Sequence, residues 1–226
     1  MTIRTVLIDI DNTLLDFDKS AEIAMLSTAE KHCVILPENS VTVFREVNER
    51  LWRGLENGEL TKQDIYDRRW KEIFDQLGVT ADFHAFEDTF RQQMRVTAVP
   101  VEGAEDILSY LSEKYPVYSA SNASRLQQEA RLIKTGLLKY LSGMFTSEEI
   151  GFGKPAKEFF HACVSELYPV KPSEIIMIGD SINADITGAK SFGLKSIWFN
   201  FYNKKYDNYN FTDFHVTKLE EIKKIL

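Results

Sequence analysis

From Pro100 onward the chain alternates short apolar runs with amphipathic stretches, and few architectures accept that rhythm. Residues 116–121, a shorter run at 144–145, and residues 175–178 and 196–199 read as strands. Helices are expected near 103–114, after a Ser124 cap with Leu126, Ala130, Ile133 and Leu137 on its inner face and Gly136 at its close, near 156–167 and near 183–192. Strands separated by helices pair in parallel, so the pattern predicts a doubly wound α/β sheet. Residues 4–10 add one more buried strand, apolar and β-branched up to Asp9, before Asn12-Thr13 signals a loop.

Between these parts lies a stretch with helical periodicity only. Phe44, Val47, Leu51 and Leu55 share one helical face, and Tyr66, Trp70, Ile73, Phe74 and Leu77 another. Thr61-Lys-Gln-Asp64 carries a capping-box start signal and Gly78 a stop signal. The expected organisation is therefore an α/β core of residues 1–15 and 97–226, with an all-helical insert of residues 16–96 after the first strand. Trp52, Trp70 and Phe44 could stack on a ligand, but their helical spacing assigns them to packing. The aromatic and Asn-rich stretch 198–211 either flanks a site entrance or covers the sheet edge.

With 27 basic and 34 acidic residues the net charge is −7, and no basic patch interrupts it. A polyanionic partner or an anionic membrane surface is therefore not expected, whereas one small phosphorylated metabolite is compatible. Cys33 and Cys163 lie far apart without companions at metal-ligand spacing, so both are expected to be buried, reduced thiols. The first apolar run is too short and acidic for a signal peptide, and no apolar run reaches the roughly 18 residues of a membrane span. Cytoplasmic residence and a monomer or weak homodimer are the expectations.

Polar residues that could carry chemistry occur where strands end or helices begin. Asp9-Ile-Asp11-Asn-Thr13 places two carboxylates two residues apart at a strand exit, beside backbone N–H groups suited to phosphate. A carboxylate can attack phosphorus only where something offsets its repulsion from the ester, and a bound Mg²⁺ ion is the obvious agent. Ser121-Asn122 follows a second strand and offers a hydroxyl and a backbone N–H. Lys154, between Gly153 and Pro155 at a helix entrance, could neutralise a phosphoryl group, while Lys157 reads as a surface residue. Asp180 leaves a further apolar strand and Asp185 follows in the next helical turn. One direct and one water-mediated carboxylate suit the oxygen coordination of Mg²⁺.

These motifs, in this order and approximate spacing, resemble those of the haloacid dehalogenase superfamily, across nearly the whole chain. The resemblance implies a Rossmann-like core with a helical cap, Asp9 as nucleophile and Mg²⁺ ligand, and Asp11 as acid/base with its main-chain carbonyl on the metal. Ser121, Asn122 and Lys154 would bind the phosphoryl oxygens, Asp180 would ligate Mg²⁺, and Asp185 would hold a metal-bound water or orient its neighbours. Asp16-Phe17, Leu51-Trp52, Asn57-Gly58-Glu-Leu-Thr61 and Ser147-Glu-Glu-Ile-Gly151 are similar to the pyrimidine 5′-nucleotidase branch. Ala123 departs from the usual glycine after the Ser/Thr-Asn pair, which puts close backbone approach to phosphate in question.

The expected activity is Mg²⁺-dependent hydrolysis of a nucleoside 5′-monophosphate through an aspartyl-phosphate. Sugar phosphates and phosphoglycolate are the alternative substrates, and a β-phosphoglucomutase-type phosphomutase would keep the same motifs. Asp11 argues against a dehalogenase, which lacks that carboxylate.

Overall fold

The computed structural model describes residues 2–206 and 208–226. In chain order its principal elements are β1 (Thr5–Ile8), α1 (Phe17–Lys31), α2 (Ser40–Glu56), α3 (Lys62–Leu77), α4 (Phe83–Val96), α5 (Ala104–Lys114), β2 (Val117–Ser121), α6 (Arg125–Lys134), β3 (Gly143–Thr146), α7 (Ser147–Ile150), α8 (Lys157–Glu166), β4 (Ile175–Gly179), α9 (Gly188–Ser191), β5 (Lys195–Phe199) and β6 (Phe214–Val216). The chain divides into two compact units, Met1–Phe17 with Ala98–Leu226, and Asp18–Thr97. No helix among the described residues is long and apolar enough to cross a membrane.

The first unit holds a six-stranded, all-parallel sheet in the order β3-β2-β1-β4-β5-β6. Period-two alternation splits its apolar residues between two buried faces. Val6, Ile8, Ile176 and Ile178 pack into one cluster, and Leu7, Ile175 and Met177 join Phe159, Phe160 and Cys163 in the other. Strand order reverses between β1 and β4. Ligands of open parallel sheets bind beyond the carboxyl ends of strands at such a reversal, because the connections there leave to opposite faces and open a crevice. Val6, Leu7 and Ile8 pair in register with Ile176, Met177 and Ile178, so the two strands end level and deliver Asp9 and Asp180 side by side.

The second unit contains α2, α3 and α4 with the bulk of α1. Trp70 is its centre, with ring centroids 4.4 Å from Phe86, 5.2 Å from Phe90, 5.6 Å from Phe74 and 5.7 Å from Phe44. Trp70 and Phe44 are thus packing residues, and Trp52 is half-buried. Beside them the buried Arg69 guanidinium donates to Glu87 at 2.5 and 3.1 Å and to Asn48 at 3.0 Å, which satisfies a charge that burial would otherwise penalise. Thr61 and Asp64 form the reciprocal cap read from the sequence, and Gly78 closes α3 in the left-handed conformation at φ 65°.

Two expectations are corrected. Cys163 is buried, which pushes its thiol up to about 12, but Cys33 is exposed because it sits at φ 53° in the turn that ends α1. Leu126 and Ile133 of α6 face outward, at 59% and 60% exposure, and the inner face carries Gln128, Arg131 and Leu132. Residues 198–211 are followed by an edge strand, β6, that had no signature in the sequence. Trp198 gathers Tyr206, Tyr209 and Phe211 around it at 5.4–6.0 Å, while Tyr202 reaches back to accept a hydrogen bond from the Asn12 amide at 2.9 Å. The stretch therefore both covers the sheet edge and touches the loop after β1; Asp207 lies outside the described residues.

Candidate active site

The strand ends bring one lysine and three aspartates together. Asp9 donates its backbone N–H to the Ile178 carbonyl at 2.8 Å, the last rung between β1 and β4. Its Oδ1 accepts from Lys154 Nζ at 2.6 Å, and the same ammonium donates to Asp185 Oδ1 and to the Ala120 carbonyl, each at 2.6 Å. Lys154 is 3% exposed, so its three donors are spent on those three oxygens. Carboxylate oxygens of Asp9, Asp180 and Asp185 all lie within 4.8 Å of one another.

Asp185 is set by local backbone. Ser181 caps the segment Ile182–Thr187 through the Ala184 N–H, and Ile186 bonds five residues back to Ser181 in a π-type turn. The Ser181 N–H donates to Asp185 Oδ2 at 3.0 Å, leaving Oδ1 for Lys154. Gly179 makes this possible, since a Cβ there would collide with the Asp185 carboxyl group. Gly179→Ala is accordingly expected to displace Asp185 from Lys154 and to destabilise the fold by about 1–3 kcal/mol, the usual cost of overpacking. A thermal melt measures it, and a wild-type melting temperature in the variant would disprove the tight fit. Trp198 Nε1 donates to the Asp180 carbonyl at 2.8 Å and fixes the neighbouring main chain.

Burial raises Asp9 from 3.8 to about 7 even though Lys154 pulls it down, because Asp185 and Asp11 add repulsion. Asp180 is raised well above its ordinary value, first by burial and then by Asp9 and Asp185. Burial opposes the charge on Lys154, but Asp185 and Asp9 outweigh it and its pKa is raised. Three carboxylates around one ammonium are an acidic excess held at a cost. Hard oxygen donors in this number fit a divalent cation such as Mg²⁺, which would relieve that excess.

Asp11 stands apart from the trio. Its Oδ1 accepts from Arg131 Nη1 and its Oδ2 from Gln128 Nε2, each at 2.6 Å. Asn12 follows at φ 56°, tolerated because its Oδ1 accepts the Phe17 N–H at 2.9 Å and secures the turn. Ser121 Oγ, 2% exposed, accepts from Gln128 Nε2 at 3.0 Å and from the Ala123 N–H at 3.1 Å. The Asn122 side chain braces the Lys154 backbone, giving to its carbonyl at 2.8 Å and accepting from its N–H at 2.7 Å. Lys157 is exposed.

Gln128 and Arg131 carry one weak signal in the sequence, a polar pair three residues apart in a helix whose apolar spacing points to Leu126 and Ile133 instead. The expected residues Asp9, Lys154, Asp180 and Asp185 do converge. Ser121 and Asp11 meet through Gln128, and Asn122 joins by bracing the lysine.

The profile of the haloacid dehalogenase-like hydrolase family matches residues 3–193. The chain is 30% identical to the HAD-hydrolase YfnB of Bacillus subtilis over 99% of its own length and 95% of the relative's. A crystal structure of YfnB bound to magnesium superposes with a TM-score of 0.93 at 29% identity, covering 100% of this chain and 99% of that one. The chain is also similar to two pyrimidine 5′-nucleotidases. PynA of Streptococcus pneumoniae is 29% identical over 88% of this chain and 85% of the relative, and YjjG of Escherichia coli 24% identical over 98% and 96%.

Proposed function

The chain belongs to the haloacid dehalogenase-like hydrolase family, and from that premise we propose that it is a Mg²⁺-dependent phosphatase of small phosphomonoesters, preferring nucleoside 5′-monophosphates and working through an aspartyl-phosphate on Asp9. The observation that carries this reading is the Lys154 ammonium bridging Asp9 and Asp185 at 2.6 Å, with Asp180 beside them at the reversal point of the sheet. Similarity to the two nucleotidases supports the substrate class, and the magnesium in YfnB supports the ion.

Asp9, Asp180 and the main-chain carbonyl of Asp11 would hold the ion, with Asp185 anchoring one of its waters. Bound there, Mg²⁺ would neutralise charge between the nucleophile and the phosphoryl oxygens. Asp9 forms a bond to phosphorus as the ester P–O bond breaks, and Asp11 supplies the proton that the departing alkoxide takes up. Asp11 then accepts a proton from the water that attacks the aspartyl-phosphate, releasing inorganic phosphate and restoring Asp9. The positive charge of Lys154, whose three N–H groups are held by Asp9, Asp185 and the Ala120 carbonyl, and the Ser121 hydroxyl stabilise the transferring phosphoryl oxygens, and Asn122 contributes its backbone N–H while its amide keeps Lys154 in place.

Phosphate release from a panel of pyrimidine and purine nucleoside 5′-monophosphates, sugar phosphates, 2-phosphoglycolate and p-nitrophenyl phosphate tests the proposal. Turnover is expected with Mg²⁺, fastest on the nucleotides, and is expected to vanish with a chelator. No phosphate release from any ester in Mg²⁺ would defeat it.

A further inference from the structure

Resting on that reading of Asp11, we propose that Gln128 and Arg131 of α6 are positioning residues that aim the Asp11 carboxyl group for proton transfer. Both side chains are wholly buried, and they lie three residues apart on the inner face of α6. Each gives one donor to one Asp11 oxygen at 2.6 Å, and Gln128 Oε1 accepts from Arg131 Nη1 at 2.9 Å, so the two donors also hold each other. The same Gln128 amide reaches Ser121 Oγ at 3.0 Å, tying the carboxyl group to the hydroxyl beside the expected phosphoryl position.

A helix that only had to pack would not build this face. Arginine burial carries a desolvation penalty that needs a well-placed partner, yet α6 turns Leu126 and Ile133 outward while Arg131 goes inside. A carboxylate has about four lone-pair sites. Arg131 and Gln128 occupy one on each oxygen, which stops rotation of the group and leaves the remaining sites for the travelling proton.

The distinguishing measurement is leaving-group dependence. kcat/KM reports the steps through departure of the leaving group, and p-nitrophenolate departs without a proton whereas a ribose 5′-alkoxide needs one. Arg131→Met and Gln128→Met are each expected to lower kcat/KM on a nucleoside 5′-monophosphate by about 10–100-fold, and on p-nitrophenyl phosphate by less than about 3-fold. Because the water step also uses Asp11, the variants are expected to show a burst of p-nitrophenolate. Equal losses on both esters, or no loss on the nucleotide, would overturn the inference. Should Arg131→Met fail to fold, Gln128→Met decides alone, since it adds no charge and leaves the Arg131 bond to Asp11 in place. A wild type inactive on both esters would instead reject the phosphatase reading itself.

Discussion

Asp9→Asn is expected to lose phosphatase activity by on the order of 10⁴-fold or more, the scale seen when a covalent nucleophile is removed. Asparagine keeps the volume, and Lys154 retains its bonds to Asp185 and to the Ala120 carbonyl, so the fold should survive unchanged. An amide oxygen cannot form the acyl-phosphate, and the remaining groups can only bind the ester. The loss should therefore fall on kcat, with substrate binding kept. Steady-state rates with Mg²⁺, together with mass spectrometry for the transient phosphoryl adduct on wild type, measure both sides of the claim. A variant within tenfold of wild type would remove Asp9 from the nucleophile's role.

Much of this centre was readable because strand-end geometry is written locally. An apolar β-branched run that stops at an acidic residue places that residue at the sheet's carboxyl edge, and this held for Asp9 after β1 and Asp180 after β4. Caps were equally local, as Thr61-Asp64 and Ser124 show. What escaped was set by partners distant in sequence. Gln128 and Arg131 lie 117 and 120 residues from Asp11, and their inward turn reverses the face that apolar spacing assigned to α6. The edge strand β6 is short, with exposed Phe214 and His215, so it lacked the alternation that marks a strand; its pairing with β5 through residues 197–199 comes from the sheet, not from its own pattern. Cys33 was misread because a left-handed turn ended α1 before its periodicity did.

Lys154→Met is expected to abolish turnover and to make the metal-free protein less stable, increasingly so as pH rises. Removing one partner from a buried charge set costs about 3–5 kcal/mol, because the rest stay buried and unbalanced. The direction with pH follows from burial, which lifts Asp9 from 3.8 to about 7 against the pull of Lys154 and raises Asp180 as well. A folded-state pKa above the unfolded value means that the folded protein holds protons the unfolded chain has released. The corresponding stability is fully present below 3.8 and is lost as pH climbs through about 7. Without the ammonium both carboxyl groups move further up, and the loss extends to higher pH. A divalent cation bound only by the folded state restores stability by mass action, most where the carboxylates are ionised. Thermal melts in chelator and in Mg²⁺ between about pH 5 and about pH 8 read both effects. The wild-type gain in Tm from Mg²⁺ should grow with pH, and the variant's deficit in chelator should widen. A gain that stays flat, or a variant as stable as wild type at the alkaline end, would mean that these carboxylates do not share one buried, charge-starved site.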